Sequence, residues 1–266
     1  MPRIRRSQAD QGLADAAGSD FLEALARGLR VVEAFGRDRR WLTLSDLARL
    51  VDLPRASVRR TLYTLVKLGY AEVDDRLFRL TPRILMLAGA YLSSNAISDI
   101  VQPALERLSD DLGEACSAAV LDGTEVVMIS HASPNRMLAV SGQVGFRLPA
   151  FSTSLGRILL AALRDKQVDA LLARAKLLKL TPATVTDKAE LHRAIMKARA
   201  DGFSLVDQEA ESGFRSISVP LKRRDGRTVA ALNVGVHTER VPLNAMRNVF
   251  LPRLRALADE LSPQLI

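Results

Sequence analysis

The chain has 266 residues, 38 of them basic and 30 acidic, for a net charge of +8. With 48% hydrophobic and 26% charged residues, it has a globular balance that excludes wholesale disorder or a collagen-like chain and allows one large domain or two smaller ones. A single cysteine, Cys116, excludes an intramolecular disulfide framework and fits a reducing cytosol.

The first 18 residues are small and polar and are expected to form a flexible tail. They carry Arg3, Arg5 and Arg6 but no apolar run of the kind a signal peptide needs, so a cytoplasmic location is expected. From Ser19 the pattern turns helical. Phe21, Leu22, Leu25, Leu29, Val32 and Phe35 recur at three- and four-residue spacing, with Ser19 as N-cap and Gly36 as stop. Thr43, followed three residues later by Asp46, resembles a capping box opening a short second helix. A turn through Asp52, Leu53 and Pro54 leads into a third helix that ends at Gly69, with Val58, Leu62, Leu65 and Val66 as its apolar stripe. Two extended runs, 70–73 and 77–80, joined by Asp74, Asp75 and Arg76, complete the layout of a winged helix-turn-helix over residues 19–81.

Charge is unevenly placed along the chain. Residues 1–90 hold 16 Lys/Arg and 11 Asp/Glu, net +5; residues 91–266 hold 22 and 19, net +3. No acid lies between Asp52 and Glu72, where Arg55, Arg59, Arg60 and Lys67 are found. A basic surface is a footprint for phosphate. In a helix-turn-helix the N-terminal residues of the second helix of the motif meet base edges in the major groove. That makes Arg55, Ser57, Arg59 and Arg60 candidates for reading double-stranded DNA, since arginine pairs bidentately with guanine and serine or arginine can fix phosphates. Thr43 and Ser45 at the start of the preceding helix, and Arg76 and Arg79 on the wing, are further DNA-binding candidates. The competing explanation is a protein-interaction module with a solvated basic face.

Thr81 and Pro82 read as an N-cap followed by proline at the first helical position. They open an acid-free, largely apolar helix, taken with its flanks (82–97) as a linker that packs on a second subunit or on the second domain. The charge-free stretch 84–98 is too short to span a bilayer, so no membrane contact is expected. Residues 98–266 form the second domain, in which helices alternate with strands. Ser98 is expected to cap a helix running to Leu112 and closed by Gly113. Extended runs follow at 116–121 and 124–130 around Asp122 and Gly123, a strong hairpin signal, and at 137–141. Helices are expected at 152–163, at 166–175, from Asp187 to Gly202, and as one long amphipathic stretch at 242–261. Strands are expected at 203–206, 216–221 and 228–236. Hairpin-joined strands with flanking helices indicate an α+β domain with a mostly antiparallel sheet.

No catalytic set appears: there is no G-x-S-x-G elbow, P-loop, H-E-x-x-H or C-x-x-C. Cys116, His131 and His237 lack any recognised ligand spacing, so no metal and no cofactor are expected. The informative stretch is 145–156, Gly-Phe-Arg-Leu-Pro-Ala-Phe-Ser-Thr-Ser-Leu-Gly. There a loop carrying Arg147 runs into a helix that begins with Ser152, Thr153 and Ser154. Helix N-termini attract anions through free N–H groups and the helix dipole, so a small carboxylate is a natural ligand. The alternative is that these hydroxyls are only caps and Arg147 a surface charge.

These features together resemble the IclR family of bacterial transcriptional regulators. The resemblance rests on the order of winged helix-turn-helix, linker and α+β domain, and on three motifs: Leu148-Pro-x-x-x-Thr-x-x-Gly156, Asp207-x-Glu209 and Gly213-Phe-Arg-Ser-Ile-Ser-Val-Pro220. Finer features are similar to the β-ketoadipate branch, which regulates protocatechuate and 4-hydroxybenzoate catabolism. They are Leu25-Ala-Arg-Gly-Leu29, Leu77-Phe-x-Leu-Thr-Pro-Arg83, Ala90-Tyr-Leu-Ser-Ser94 and Val206-Asp-Gln-Glu209. The resemblance implies a GAF-like effector domain, a homodimer or homotetramer, and a small organic acid that changes action at the promoter. By position it implies effector contacts at Ser154, Leu155, Asp207, Ser216, Asn233 and Gly235. For an aromatic acid, Arg147 is the expected carboxylate partner, with His131 or Ser141 on a ring hydroxyl and Ser152 adding a donor. The alternatives are a short aliphatic oxoacid as effector or, from another class, an enzyme acting on a small acid.

Overall fold

The computed structural model describes residues 19–36, 38–94, 97–134 and 143–265. The expected tail, the strand at 137–141 and Ser141 lie outside these residues. The chain divides into two compact units, Met1–Ser94 and Asn95–Ile266. Among the described residues, no helix is long and apolar enough to cross a membrane.

The first unit runs α1 (Glu23–Glu33), β1 (Leu42–Thr43), α2 (Leu44–Leu50), α3 (Arg55–Lys67), β2 (Ala71–Asp74), β3 (Leu77–Leu80), a 3-10 turn at Pro82–Ile84, and α4 (Leu85–Ser94). Val31, Leu47, Val58 and Leu62 are buried where the first three helices meet; each such side chain contributes about 1.5–3 kcal/mol. The Thr43 capping box is present: its hydroxyl accepts from the Asp46 N–H, and the Asp46 carboxylate accepts from both the Thr43 N–H and its hydroxyl. Those bonds hold the Asp46 carboxyl below the usual carboxylate range. Helix α1 departs from expectation. It starts at Glu23 without a side-chain cap, so Ser19 lies outside it. It buries Val31 and leaves Leu22, Leu25 and Leu29 exposed. The two-residue β1, absent from the sequence-based expectation, pairs with β3 and makes the wing a three-stranded antiparallel sheet. The wing turn lacks glycine; Asp75 takes the left-handed conformation instead, which aspartate tolerates better than most residues.

The second unit runs α5 (Ile97–Leu112), β4 (Ala115–Asp122), β5 (Glu125–Ala132), β6 (Arg147–Pro149), a 3-10 turn at Ala150–Ser152, α6 (Ser154–Ala161), α7 (Asp165–Arg174), α8 (Lys188–Asp201), β7 (Ser204–Asp207), β8 (Phe214–Lys222), β9 (Thr228–His237), α9 (Leu243–Ala245), a π-type turn at Met246–Phe250, and α10 (Leu251–Leu261). The six strands form one antiparallel sheet in the order β6-β5-β4-β9-β8-β7. Side chains of Val101 and Leu105 from α5 and Leu254 from α10 cover one face. Leu155 and Ile158 from α6 and Leu191 and Ile195 from α8 cover the other.

Three local expectations are corrected. Ser98 is not a cap: it lies inside α5 and its hydroxyl donates to the Ile129 carbonyl at 3.2 Å. The helix expected from 152 begins instead with the 3-10 turn, and Thr153 caps α6 by accepting from the Gly156 N–H at 3.1 Å. The single long C-terminal helix is interrupted by the π-type turn.

Candidate functional site

In the first unit, α3 turns Val58 and Leu62 inward and leaves Arg55, Arg59 and Arg60 exposed. Its first turn has no acid, and these three guanidinium groups have no hydrogen-bond or ion-pair partner among the described residues. Ser57 is half-buried on the same turn; Ser45 and Arg76 are exposed. Two of the expected DNA contacts are otherwise engaged. Thr43 commits its hydroxyl to the α2 cap. Arg79 lies 4.6 Å over the centre of the Trp41 ring and is paired with Glu72, which neutralises its charge and stiffens the wing.

The second unit holds a cavity of about 230 Å³ between the sheet and the start of α6. Cross-strand register builds its floor. Ser117 on β4 stands opposite His131 on β5 and Asn233 on β9, and Asn233 stands opposite Ser218 on β8. One step along, Ala115, Gly235, Ser216 and Val206 form a second row. A bulge in β5 completes the wall. Ala118 faces Ser130 but Ala119 faces Met128, so Ile129 is an extra residue, and His131 and Met128 both line the cavity although they are three apart. Helix α5 fixes this bulge. Ser98 holds the Ile129 carbonyl, while the Gln102 side chain donates to the His131 carbonyl and accepts from its N–H. At Gly235 a Cβ would collide with the Phe214 ring, which lies across this strand.

The cavity has two polar ends. At β5 the Ser117 hydroxyl and His131 Nδ1 are 2.9 Å apart, and burial pushes the His131 pKa down, favouring the neutral ring. At β8 the Ser154 hydroxyl, on the first residue of α6, lies 2.7 Å from each of the Ser216 and Ser218 hydroxyls. Ser152, buried in the same wall, has a hydroxyl with no partner among the described residues. Phe146, Leu148, Leu155 and Phe214 supply apolar wall between these ends. Among the described residues, no lysine or arginine lines the cavity, and one acid, Glu211, does. The part of this wall that favours negative charge is the start of α6, with its free N–H groups and hydroxyls.

The structure thus brings His131, Ser152, Ser154, Leu155, Ser216, Asn233 and Gly235 around one space. Arg147 and Asp207 do not join them. Arg147 is half-exposed and held by Asp122 at 2.6 Å and Glu125 at 2.8 Å; Asp207 pairs with Arg215 at 3.0 Å. Arg147→Ala is expected to cost under about 1 kcal/mol in thermal unfolding, as exposed pairs do, and to leave small-acid affinity in calorimetry unchanged. A lost affinity would restore Arg147 as the anchor. Ser117, Met128, Phe146, Phe214 and His237 also line the cavity and were not among the residues expected. Cys116 is no nucleophile: burial pushes its thiol up to about 12. Among the described residues, no group of three His, Cys, Asp or Glu is placed to hold a metal ion.

Behind the cavity lies an ion pair that sequence reasoning did not single out. Arg157 donates to Glu209 at 2.7 Å and to the Phe151 carbonyl at 2.9 Å, with both side chains buried. Glu209 also accepts from the Val185 N–H, and its carbonyl accepts from the Thr184 hydroxyl. This clamp ties the 3-10 turn before α6 to the segments around 185 and 209.

The model of the IclR helix-turn-helix domain matches residues 24–75, and that of the bacterial transcriptional regulator IclR C-terminal domain matches residues 89–263. The chain is 43% identical to the Pca regulon regulatory protein of Pseudomonas putida over 99% of its own length and 91% of that protein. It is 36% identical to the p-hydroxybenzoate hydroxylase transcriptional activator of Acinetobacter baylyi, over 91% of each. Among solved structures, an IclR homologue from Microbacterium hydrocarbonoxydans complexed with 4-hydroxybenzoate superposes with a TM-score of 0.75 at 28% identity, covering 91% of this chain and 98% of that one. Matching family models over both units and relatives of this similarity lead to one conclusion: the chain belongs to the IclR family of bacterial transcriptional regulators, with a helix-turn-helix unit that binds DNA.

Proposed function

We propose that the protein regulates an aromatic-acid catabolic operon in the cytoplasm, and that its effector is a small aromatic carboxylate held in the cavity of the second unit. The observation that carries this reading is the pair of polar ends on one apolar-walled cavity. Their strands, β5 and β8, are three strand spacings apart, about 14 Å. A ring with a carboxylate at one end and a hydroxyl at the other spans such a distance with a hydrogen bond at each. The carboxylate lies at Ser152, Ser154 and the α6 N-terminus, the ring against Leu155, Phe146 and Phe214, and the hydroxyl at His131 and Ser117. The similarity to regulators named for Pca and p-hydroxybenzoate genes, and to a homologue complexed with 4-hydroxybenzoate, supports the same ligand class.

DNA is read by Arg55, Ser57, Arg59 and Arg60, with Ser45 and Arg76 beside them. The exposed stripe of Leu22, just before α1, and Leu25 and Leu29 on α1, together with exposed Leu85, Met86 and Leu87 on α4, is more apolar surface than a small folded unit leaves to water without a partner. A second copy of the chain covers it, so the regulator acts as a homodimer or higher homo-oligomer, with residues 82–97 as the linker. The effector prefers one arrangement of the second unit and so shifts the population of DNA-competent dimers.

A thermal-unfolding screen tests the ligand. At a hundred times its Kd, an aromatic acid stabilises the protein by about 2.7 kcal/mol, whereas short oxoacids give no shift. Equal or larger stabilisation by an oxoacid, or none by 4-hydroxybenzoate and protocatechuate, would overturn the aromatic reading.

A further inference from the structure

A second cavity, of about 330 Å³, lies on the other side of the Ala150–Ser152 turn. Pro149, Phe151, Leu177 and Val185 give it an apolar lining. Arg174 and Lys176 also line it, both exposed at the end of α7, and neither side chain has an ion-pair or hydrogen-bond partner among the described residues. Among the described residues that line it, the acid is Glu125, already engaged by Arg147. The cavity therefore carries two uncompensated positive charges over an apolar bed. Leu178, 66% exposed, forms part of its lip. Ser152 belongs to the walls of both cavities, and its hydroxyl is buried without a partner among the described residues.

We infer that this is a second binding site, for a small carboxylate with an apolar body, separate from the effector cavity. The carboxylate meets Arg174 and Lys176, which act as charge-assisted donors. The apolar body lies on Pro149, Phe151 and Val185, and Leu178 folds over it, losing its own exposure. The volume is of the size that small-ligand sites occupy. Coupling to the effector cavity is built into the shared wall. The Phe151 carbonyl, the Val185 N–H and the Thr184 hydroxyl, all on residues lining the second cavity, are the groups held by Arg157 and Glu209. A ligand that shifts that wall shifts the turn leading into α6, and binding at either site changes affinity at the other by the same factor. The inference rests on the proposed function only in its choice of probe.

The test is equilibrium dialysis of the full chain against labelled 4-hydroxybenzoate, comparing wild type with the doubly substituted Arg174→Ala/Lys176→Ala protein. Both positions are exposed, and an unchanged melting temperature without ligand verifies that the variant folds. The expected stoichiometry is two per chain in the wild type and one in the variant. Two in both, or one in both, overturns the second site and leaves the effector cavity standing. One in the wild type and none in the variant supports the second site and overturns the effector cavity as the place of binding. No binding to either protein overturns both readings.

Discussion

Replacing Arg59 and Arg60 together by alanine should weaken binding to a promoter fragment that the wild-type protein retains by about thirtyfold or more, with little change in folding. Each bidentate arginine–guanine pair discriminates by about 1–3 kcal/mol, and both side chains project from α3 with no partner among the described residues to lose. Fluorescence anisotropy over a salt series separates the roles. A guanidinium on a base edge lowers affinity for the specific fragment more than for scrambled DNA. One on a phosphate lowers both and reduces the salt slope by about one. Arg79→Ala serves as the contrasting case. Its charge is already matched by Glu72 and its plane rests on Trp41, so it should change the salt slope far less. Unaltered affinity in the α3 double variant would remove that helix from the DNA-reading surface.

Arg157→Ala should be strongly destabilising to the second unit. It leaves the Glu209 carboxylate buried beside an empty space and releases the Phe151 carbonyl. Breaking one side of a buried ion pair costs about 3–5 kcal/mol, a large part of a typical domain's stability. Replacing both partners by apolar residues of similar volume, Arg157→Met with Glu209→Leu, should recover most of that loss, because no charge is then left unpaired. Urea unfolding of the wild type, Arg157→Ala and the doubly substituted protein measures it. A loss below 1 kcal/mol in Arg157→Ala would show that water already compensates the pair.

How much could be read from the sequence depended on how far apart the interacting groups lie. The Thr43 cap was legible because both partners sit within three residues, and Gly202 because a helix ending in a left-handed residue favours glycine locally. Ser98 had the same local signature and was misread, since its hydroxyl serves a carbonyl 31 residues away. Arg147 was misread for the same reason: Asp122 and Glu125, on the neighbouring hairpin, take the guanidinium expected to face a ligand. The short β1 and β6 exist through pairing rather than propensity. In the cavity, the hydroxyls at the start of α6 were legible as a helix N-terminus. Ser117 was not, because only the pairing of β4 with β5 and β9 brings it beside His131 and Asn233. The buried partnership of Arg157 with Glu209 crosses 52 residues and left no periodic trace.

The extra residue in β5 reverses the strand's parity within the ligand wall. Upstream of Ile129 the even-numbered Met128 faces the cavity, downstream the odd-numbered His131 does, and Ile129 and Ser130 both turn to the opposite face. A relative lacking that residue would run as a regular strand there, keeping its counterparts of Met128 and His131 on the ligand wall and losing only an apolar side chain from the opposite face. The two faces of β5 can therefore be altered separately: a change of one residue in length at this point repacks the side under α5 and leaves the pattern presented to the ligand as it was.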